Sequence, residues 1–292
     1  MHPAAFDYLA PETVEAAVEA LAAEPTSRVL AGGHSLLPLM KLRFLAPSLL
    51  VDIGRIPGLG EIAQDGSEIV IGTRTTHAAA AGSPLLRQRA TALAEAAATV
   101  GDPQVRNRGT LGGSAAHADP VADEPGALLA LGAVLVAMGP DGSRRIDAVD
   151  FFVDALTTSL RTGEVLVELR LPAPGPGTGS AYEKLGRRGP GSDYPIAGAA
   201  AMLQFDEGTV TEARIAATGA AVTPSLLPDV ASRMLGTDGS DAAIEAATRD
   251  AAAGLSVVRD LYGDEEYKRH LVGVFAARSL KSASERAKTL QN

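Results

Sequence analysis

The run PAPGPGTG at residues 172–179 constrains the fold more than any other stretch of this sequence. Proline fixes φ and lacks an N–H, so a segment this rich in Pro and Gly continues neither a helix nor a central strand. It cuts the 292-residue chain into two unequal parts, and the composition changes across it. A chain of this length also exceeds one small core. The expected units are residues 1–55, 56–175 and 176–292, the first two forming one larger domain.

Upstream of the cut, Val14, Ala17, Val18 and Leu21 give 11–23 the apolar spacing of an amphipathic helix. Residues 28–31, 49–53, 68–72, 134–138 and 165–171 read as strands. Residues 36–42 read as a turn of helix, and 92–100 and 125–131 as helices. Thr76 can cap a short helix, and Pro140-Asp141-Gly142 marks a hairpin turn leading into 144–147. Downstream, 181–185, 196–205 and 210–220 read as strands, followed by helices at 242–253 and 265–284. The predicted class is α+β: two α/β subdomains, then a small sheet followed by helices.

Two segments do not belong to this regular pattern. One is 99–123, TVGDPQVRNRGTLGGSAAHADPVAD, read as a loop after an Ala-rich helix. The other is AGGHS at 31–35. Glycine lets a backbone come close to a ligand, and successive exposed N–H groups form an anion nest. Neither segment has the G-x-G-x-x-G spacing of a dinucleotide-binding turn or the Lys-Ser/Thr of a P-loop. A single such segment is ordinary turn chemistry, whereas the pair suggests a phosphate-bearing ligand outside both common nucleotide folds.

Composition narrows the classes. The net charge of −9 argues against nucleic acid, which demands a basic surface. No signal peptide and no apolar run of about 18 residues is visible, so a cytoplasmic protein with no membrane span is expected. With no cysteine, the chain carries no thiolate-ligated cluster of its own. His2, His34, His77, His117 and His270 lack metal-ligand spacing, so no metal is expected.

AGGHSLLPLMKLR (31–43) and GDPQVRNRGTLGGSAAHADPVAD (101–123), in this order, resemble the FAD-binding medium subunits of molybdenum hydroxylases. This group includes aerobic carbon monoxide dehydrogenases and bacterial xanthine and aldehyde dehydrogenases. YEKL at 182–185, the stretch 187–194 and DLYGDEEYKRHL at 260–271 extend the resemblance over nearly the whole chain.

The resemblance implies an FAD-binding domain of the vanillyl-alcohol-oxidase (PCMH-like) type plus a C-terminal flavoprotein domain. It implies noncovalent FAD, with the diphosphate gripped by Ala31, Gly32, Gly33, His34, Ser35 and Leu36 on one side. Thr110, Gly112, Gly113, Ser114 and Ala118 stand on the other. In this frame Asp123 meets ribityl or ribose hydroxyls, Lys184 lies near the flavin ring, and Tyr194 can lie on or beside it. Ser114 stands where many relatives carry Asn, which implies a retuned contact. Lys184 facing solvent and Tyr194 in ordinary packing remain open. Arg106 and Arg108 are either phosphate clamps or structural ion pairs with Asp102 or Asp119.

The implied function is electron transfer within a heteromeric enzyme, assembled as a dimer of heterotrimers (a heterohexamer). A large subunit holds the molybdenum–molybdopterin cofactor, a small subunit holds the [2Fe–2S] clusters, and this chain passes their electrons through FAD to a terminal acceptor. No side chain of this chain is expected to be catalytic, because the cofactor carries the redox chemistry. The alternatives are a stand-alone flavin oxidoreductase and a non-catalytic nucleotide-binding module.

Overall fold

The computed structural model describes residues 2–189 and 193–289. Within the stretch 187–194, residues 190–192 lie outside the described residues.

The chain begins with β1 (Asp7–Leu9), α1 (Val14–Ala23), β2 (Arg28–Leu30), α2 (Leu36–Lys41) and β3 (Leu49–Asp52). β3 lies centrally, with β1 and β2 both parallel to it. Parallel neighbours need crossover connections, which α1 and α2 supply. The first helix starts at Val14 and not at residue 11, because the Thr13 hydroxyl caps it by accepting from the Ala16 N–H at 3.2 Å.

Next come β4 (Ile62–Asp65), β5 (Glu68–Gly72), α3 (His77–Gly82), α4 (Pro84–Arg89) and α5 (Thr91–Thr99). α6 (Pro103–Arg106), α7 (Leu111–His117), α8 (Glu124–Ala130), β6 (Val134–Gly139) and β7 (Gly142–Asp147) follow. α9 (Ala148–Phe151), β8 (Phe152–Asp154), β9 (Thr157–Thr158) and β10 (Val165–Pro172) complete this part. The five-stranded sheet has the order β4-β5-β10-β6-β7 and is antiparallel throughout.

The 99–123 segment corrects the sequence reading, since much of it is helical. Asp102 caps α6, with Pro103 at its first position, and Thr110 caps α7. Gly112 and Gly113 therefore sit in the first turn of a helix. The helix tolerates Gly112 because a larger residue does not fit: a Cβ there would stand 2.7 Å from the Thr73 carbonyl oxygen.

After the Pro/Gly run come β11 (Thr178–Gly186), β12 (Pro195–Asp206), β13 (Thr209–Thr218), β14 (Ser225–Leu226), α10 (Pro228–Met234), α11 (Asp241–Thr248) and α12 (Glu265–Thr289). The four strands form an antiparallel sheet in sequence order. Relative to the sequence reading, β11 begins within the Gly/Pro run, α11 stops earlier and α12 runs five residues longer.

Strand alternation explains the stacking. On β6, Leu135 and Ala137 join the helical core with Leu93, Leu111 and Leu128, whereas Val136 faces Ala17, Val18 and Leu21 of α1. On β12, Ala200 and Met202 join that same helical core. Ala199, Ala201 and Leu203 instead join Val272, Phe275 and Leu280 of α12. The central strands β6 and β12 are thus buried on both faces and read as nearly continuous apolar runs. The helices of the middle part are held between the five-stranded and four-stranded sheets. Gly179 sets the closest approach on the outer side, since a Cβ there would stand 2.5 Å from the Ala287 nitrogen of α12.

Candidate functional site

A cleft of about 780 Å³ opens between the first glycine turn and the start of α7. Ala31, Gly32, Gly33, His34, Ser35, Leu36, Thr110, Gly112, Gly113, Ser114, Asp123 and Tyr194 all line it. Ala118 and Lys184 do not.

The two glycine segments contribute differently. The first leaves β2 and turns into α2, with Gly33 at φ +77°, a conformation that favours glycine. The N–H groups of Gly32, Gly33, His34 and Ser35 make no hydrogen bond to a described residue. Four successive unmatched donors at the edge of a cleft form an anion nest.

The second segment has already used its donors, which corrects the expectation that Gly112 and Gly113 offer N–H groups to phosphate. The Gly112 N–H donates to Thr73 O at 3.0 Å, Gly113 to the Thr110 hydroxyl oxygen at 3.0 Å, and Ser114 to Thr110 O at 2.9 Å. The Ser114 hydroxyl donates to Glu124 Oε2 at 2.9 Å. What this turn offers a ligand is a close wall without side chains, plus the Thr110 hydroxyl proton.

Behind that wall are two buried charge pairs. Lys184 Nζ donates to Asp123 Oδ2 at 2.8 Å, Thr99 O at 3.0 Å and Asp193 O at 2.6 Å. An ammonium has three protons, so Lys184 has none left for a ligand, and its side chain is buried. This corrects the open reading of a solvent-facing lysine: Lys184 positions Asp123. The other oxygen of Asp123 accepts from the Tyr182 hydroxyl at 2.6 Å. Burial pushes the Asp123 carboxyl up to about 6, against the opposing pull of Lys184. Burial and the neighbouring Asp123 charge push the Tyr182 hydroxyl well above its usual range, so it remains a donor.

The second pair, His77 with Glu124, was not singled out from the sequence. His77 Nδ1 meets Glu124 Oε1 directly, both residues are buried, and both line the cleft. Burial alone would lower the His77 pKa, but the facing carboxylate more than offsets it and the net shift is upward. Burial likewise opposes ionisation of Glu124, while His77 draws its pKa down. The sequence signal available for it is Thr76, a helix-capping residue directly before His77: its hydroxyl caps the start of α3.

Neither reading of Arg106 stands. Its Nη1 donates to Val100 O at 2.9 Å and Gly101 O at 3.0 Å, pinning the chain that leaves α5. The Arg108 side chain is exposed and makes no hydrogen bond or ion pair among the described residues. Asp119 closes its own loop by accepting from the Val121 N–H at 3.0 Å. Ala118 caps α7 in the left-handed conformation, and its carbonyl accepts from Leu156.

At the opposite rim, the Arg187 guanidinium stacks over the Tyr262 ring at 4.2 Å and the Tyr194 ring at 5.3 Å. The 260–271 run is fixed by the buried Lys268, which donates to Asp260 Oδ2 at 2.9 Å and Gly219 O at 3.1 Å. Tyr194 is nearly half exposed (48%), so it borders the cleft without being packed into the core.

This architecture matches two family models in succession: the FAD binding domain in molybdopterin dehydrogenase at residues 4–174, and the CO dehydrogenase flavoprotein C-terminal domain at residues 180–283. The chain is 43% identical over 284 residues to the carbon monoxide dehydrogenase medium chain of Hydrogenophaga pseudoflava, covering 97% of this chain and 98% of that one. It is 38% identical to the 6-hydroxypseudooxynicotine dehydrogenase complex subunit alpha of Paenarthrobacter nicotinovorans, covering 99% and 97%. Among solved structures, a carbon monoxide dehydrogenase from Hydrogenophaga pseudoflava superposes with a TM-score of 0.93 at 43% identity, covering 98% of this chain and 99% of that one. The chain belongs to the family of FAD-binding medium subunits of carbon-monoxide-dehydrogenase-type molybdenum hydroxylases.

Proposed function

We propose that this chain holds FAD noncovalently in the cleft between its two glycine segments, as the electron-transfer subunit of a heteromeric molybdenum hydroxylase. The observation that carries this reading is the run of four unmatched N–H donors at Gly32–Ser35 facing the Cβ-free wall at Gly112 and Gly113. A diphosphate is the part of FAD such a nest suits. The cleft volume lies within the range of about 300–1,000 Å³ of cofactor sites.

The protein's net charge of −9 gives no attractive long-range field, so diphosphate affinity rests on these local donors and the Thr110 hydroxyl. Asp123, held by Lys184 and Tyr182, presents a fixed acceptor for sugar-alcohol hydroxyls. Tyr194 offers a ring face at the rim. Ala31, His34 and Leu36 complete the first wall, and Ala118 acts through the shape of the loop after α7. When bound, FAD supplies the ability to accept electrons singly and release them singly or in pairs. The chain contributes position and electrostatics.

Its partners are a large subunit with the molybdenum cofactor and a small subunit with [2Fe–2S] clusters, in a dimer of heterotrimers. This fits a chain without cysteine. Among the described residues no helix is long and apolar enough to cross a membrane, and we assign the complex to the cytoplasm. The functional units are residues 1–55, 56–175 and 176–292.

The test is purification of the chain with its genomic neighbours. Co-purification with two further subunits and a flavin spectrum is expected. A lone chain that oxidises a small substrate by itself would overturn the subunit reading.

A further inference from the structure

The His77–Glu124 pair belongs to neither glycine segment, yet both residues line the cleft. Its orientation is specific. Glu124 Oε1 is taken by His77 Nδ1, and Oε2 accepts from the Ser114 hydroxyl, so the carboxylate ties the imidazole to the second glycine segment. The other ring nitrogen, Nε2, has no partner among the described residues and is not enclosed.

Nε2 sits where the two segments meet. A Cβ at Gly109 would stand 2.7 Å from it, and a Cβ at Gly32 would stand 2.8 Å from Gly109 Cα. The His77 N–H donates to Gly109 O at 3.1 Å, so main chain and ring both lie against the residue directly before Thr110.

The charges around this point call for a cation. Among the described residues, six carboxylates line the cleft against two arginines, Arg28 and Arg188, and Arg188 is paired with Asp193 at 2.8 Å. The N–H groups of Gly32–Ser35 are neutral donors, whereas a hydrogen bond from a charged donor to phosphate is about twice as strong. The protonation of His77 decides whether it is such a donor. In the neutral ring Glu124 keeps the proton on Nδ1, and Nε2 turns a lone pair outward; in the imidazolium Nε2 carries a proton. Glu124 and Asp123 favour the charged ring, burial and Arg106 oppose it, and the net shift is upward.

We infer that His77 is a further ligand-binding residue of this cleft: as an imidazolium clamped by Glu124, it donates from Nε2 to the diphosphate at the junction of the two glycine segments. The inference rests on the FAD reading above and supplies the charged donor that reading lacks.

The test is titration of the full-length chain, freed of flavin, with FAD and separately with riboflavin, which has no phosphate, from about pH 6 to 9. Binding is followed by flavin fluorescence. Wild-type affinity for FAD should fall as pH rises through the raised histidine value, while riboflavin affinity shows no such fall. Asp123, pushed up to about 6, titrates at the low end of the range; riboflavin controls for it, because Asp123 faces the sugar-alcohol part common to both ligands. His77→Gln should weaken FAD about tenfold at the acid end, the scale of one lost charge-assisted hydrogen bond, abolish the fall with pH, and leave riboflavin within about twofold. Glu124→Gln should move the fall to lower pH. His34 and His117 also line the cleft, and His34→Gln and His117→Gln should each keep the fall. The wild-type pH profile tests the inference even where a variant fails to fold. FAD affinity independent of pH, a fall that persists in His77→Gln, or equal losses of FAD and riboflavin in that variant would overturn it while leaving the FAD reading standing. A wild-type chain that binds neither flavin would overturn both.

Discussion

Gly32 lies against the main chain of Arg108 so closely that a Cβ would overlap the Arg108 carbonyl oxygen and stand 2.8 Å from Gly109 Cα. The two glycine segments, distant in sequence, are therefore in direct contact, and the width of the cleft depends on that contact. Gly32→Ala is expected to force the segments apart and weaken FAD retention by at least about tenfold, since roughly 1.4 kcal/mol of lost fit is enough for that factor. Flavin content after gel filtration checks this. Full retention would mean that the contact does not set the cleft.

Lys184 and Asp123 make a stability prediction. Lys184→Met leaves a buried carboxylate without its cation, and breaking one side of a buried pair costs about 3–5 kcal/mol. Lys184→Met combined with Asp123→Leu should recover most of that loss, because an apolar replacement of both partners is often neutral. FAD retention should stay low in the double variant, since Asp123 lines the cleft. Urea denaturation separates the two outcomes. A lysine acting on the flavin ring instead would give a Lys184→Met protein of ordinary stability with altered flavin.

His77 and Glu124 make a pH prediction. The His77 pKa is raised in the fold, so its ion pair contributes stability that is fully present below the unfolded histidine value and is lost as pH rises through the folded one. Glu124 has a lowered pKa, and its contribution is lost only as pH falls through that lowered value. The stability gap between the wild type and Glu124→Gln should therefore narrow as pH rises above neutrality. Thermal melts from about pH 6 to 9 measure it, bracketing the usual histidine range. A gap that does not change with pH would show His77 to be neutral in the fold.

Much of the fold was legible because periodicity and turn chemistry agreed. The 134–147 hairpin and the long strands after the Pro/Gly run were found from alternation and turn residues. What was missed is instructive. β1 and β4 are short and largely exposed, so they carry no hydrophobic signature. α7 was read as loop because Gly112 and Gly113 disfavour helix locally. The close approach to Thr73 and the Thr110 cap override that preference.

The site was legible as a pair of glycine segments but not in its division of labour. Nothing in GTLGGS tells a reader that its N–H groups are already spent on Thr73 and Thr110, or that those of AGGHS are free. That distinction is tertiary. Lys184 was visible as a residue of interest, but its three acceptors come from Thr99, Asp123 and Asp193, on three separate segments. His77 and Glu124 form their pair only once the first residues of α3 and α8 meet in the fold.

The most direct test of the central claim is the FAD content of three purified proteins: wild type, Gly33→Asp and Gly113→Asp. At Gly33 the positive φ strains any side chain, Leu37 and Leu30 would have to shift to admit its Cβ, and a carboxylate there would face the diphosphate. At Gly113 a Cβ would stand 2.7 Å from the Thr110 hydroxyl oxygen that caps α7. The predicted result is one FAD per wild-type chain and no retained flavin in either variant. Normal flavin content in both variants, or a wild-type protein that stays colourless when FAD is added, would contradict it.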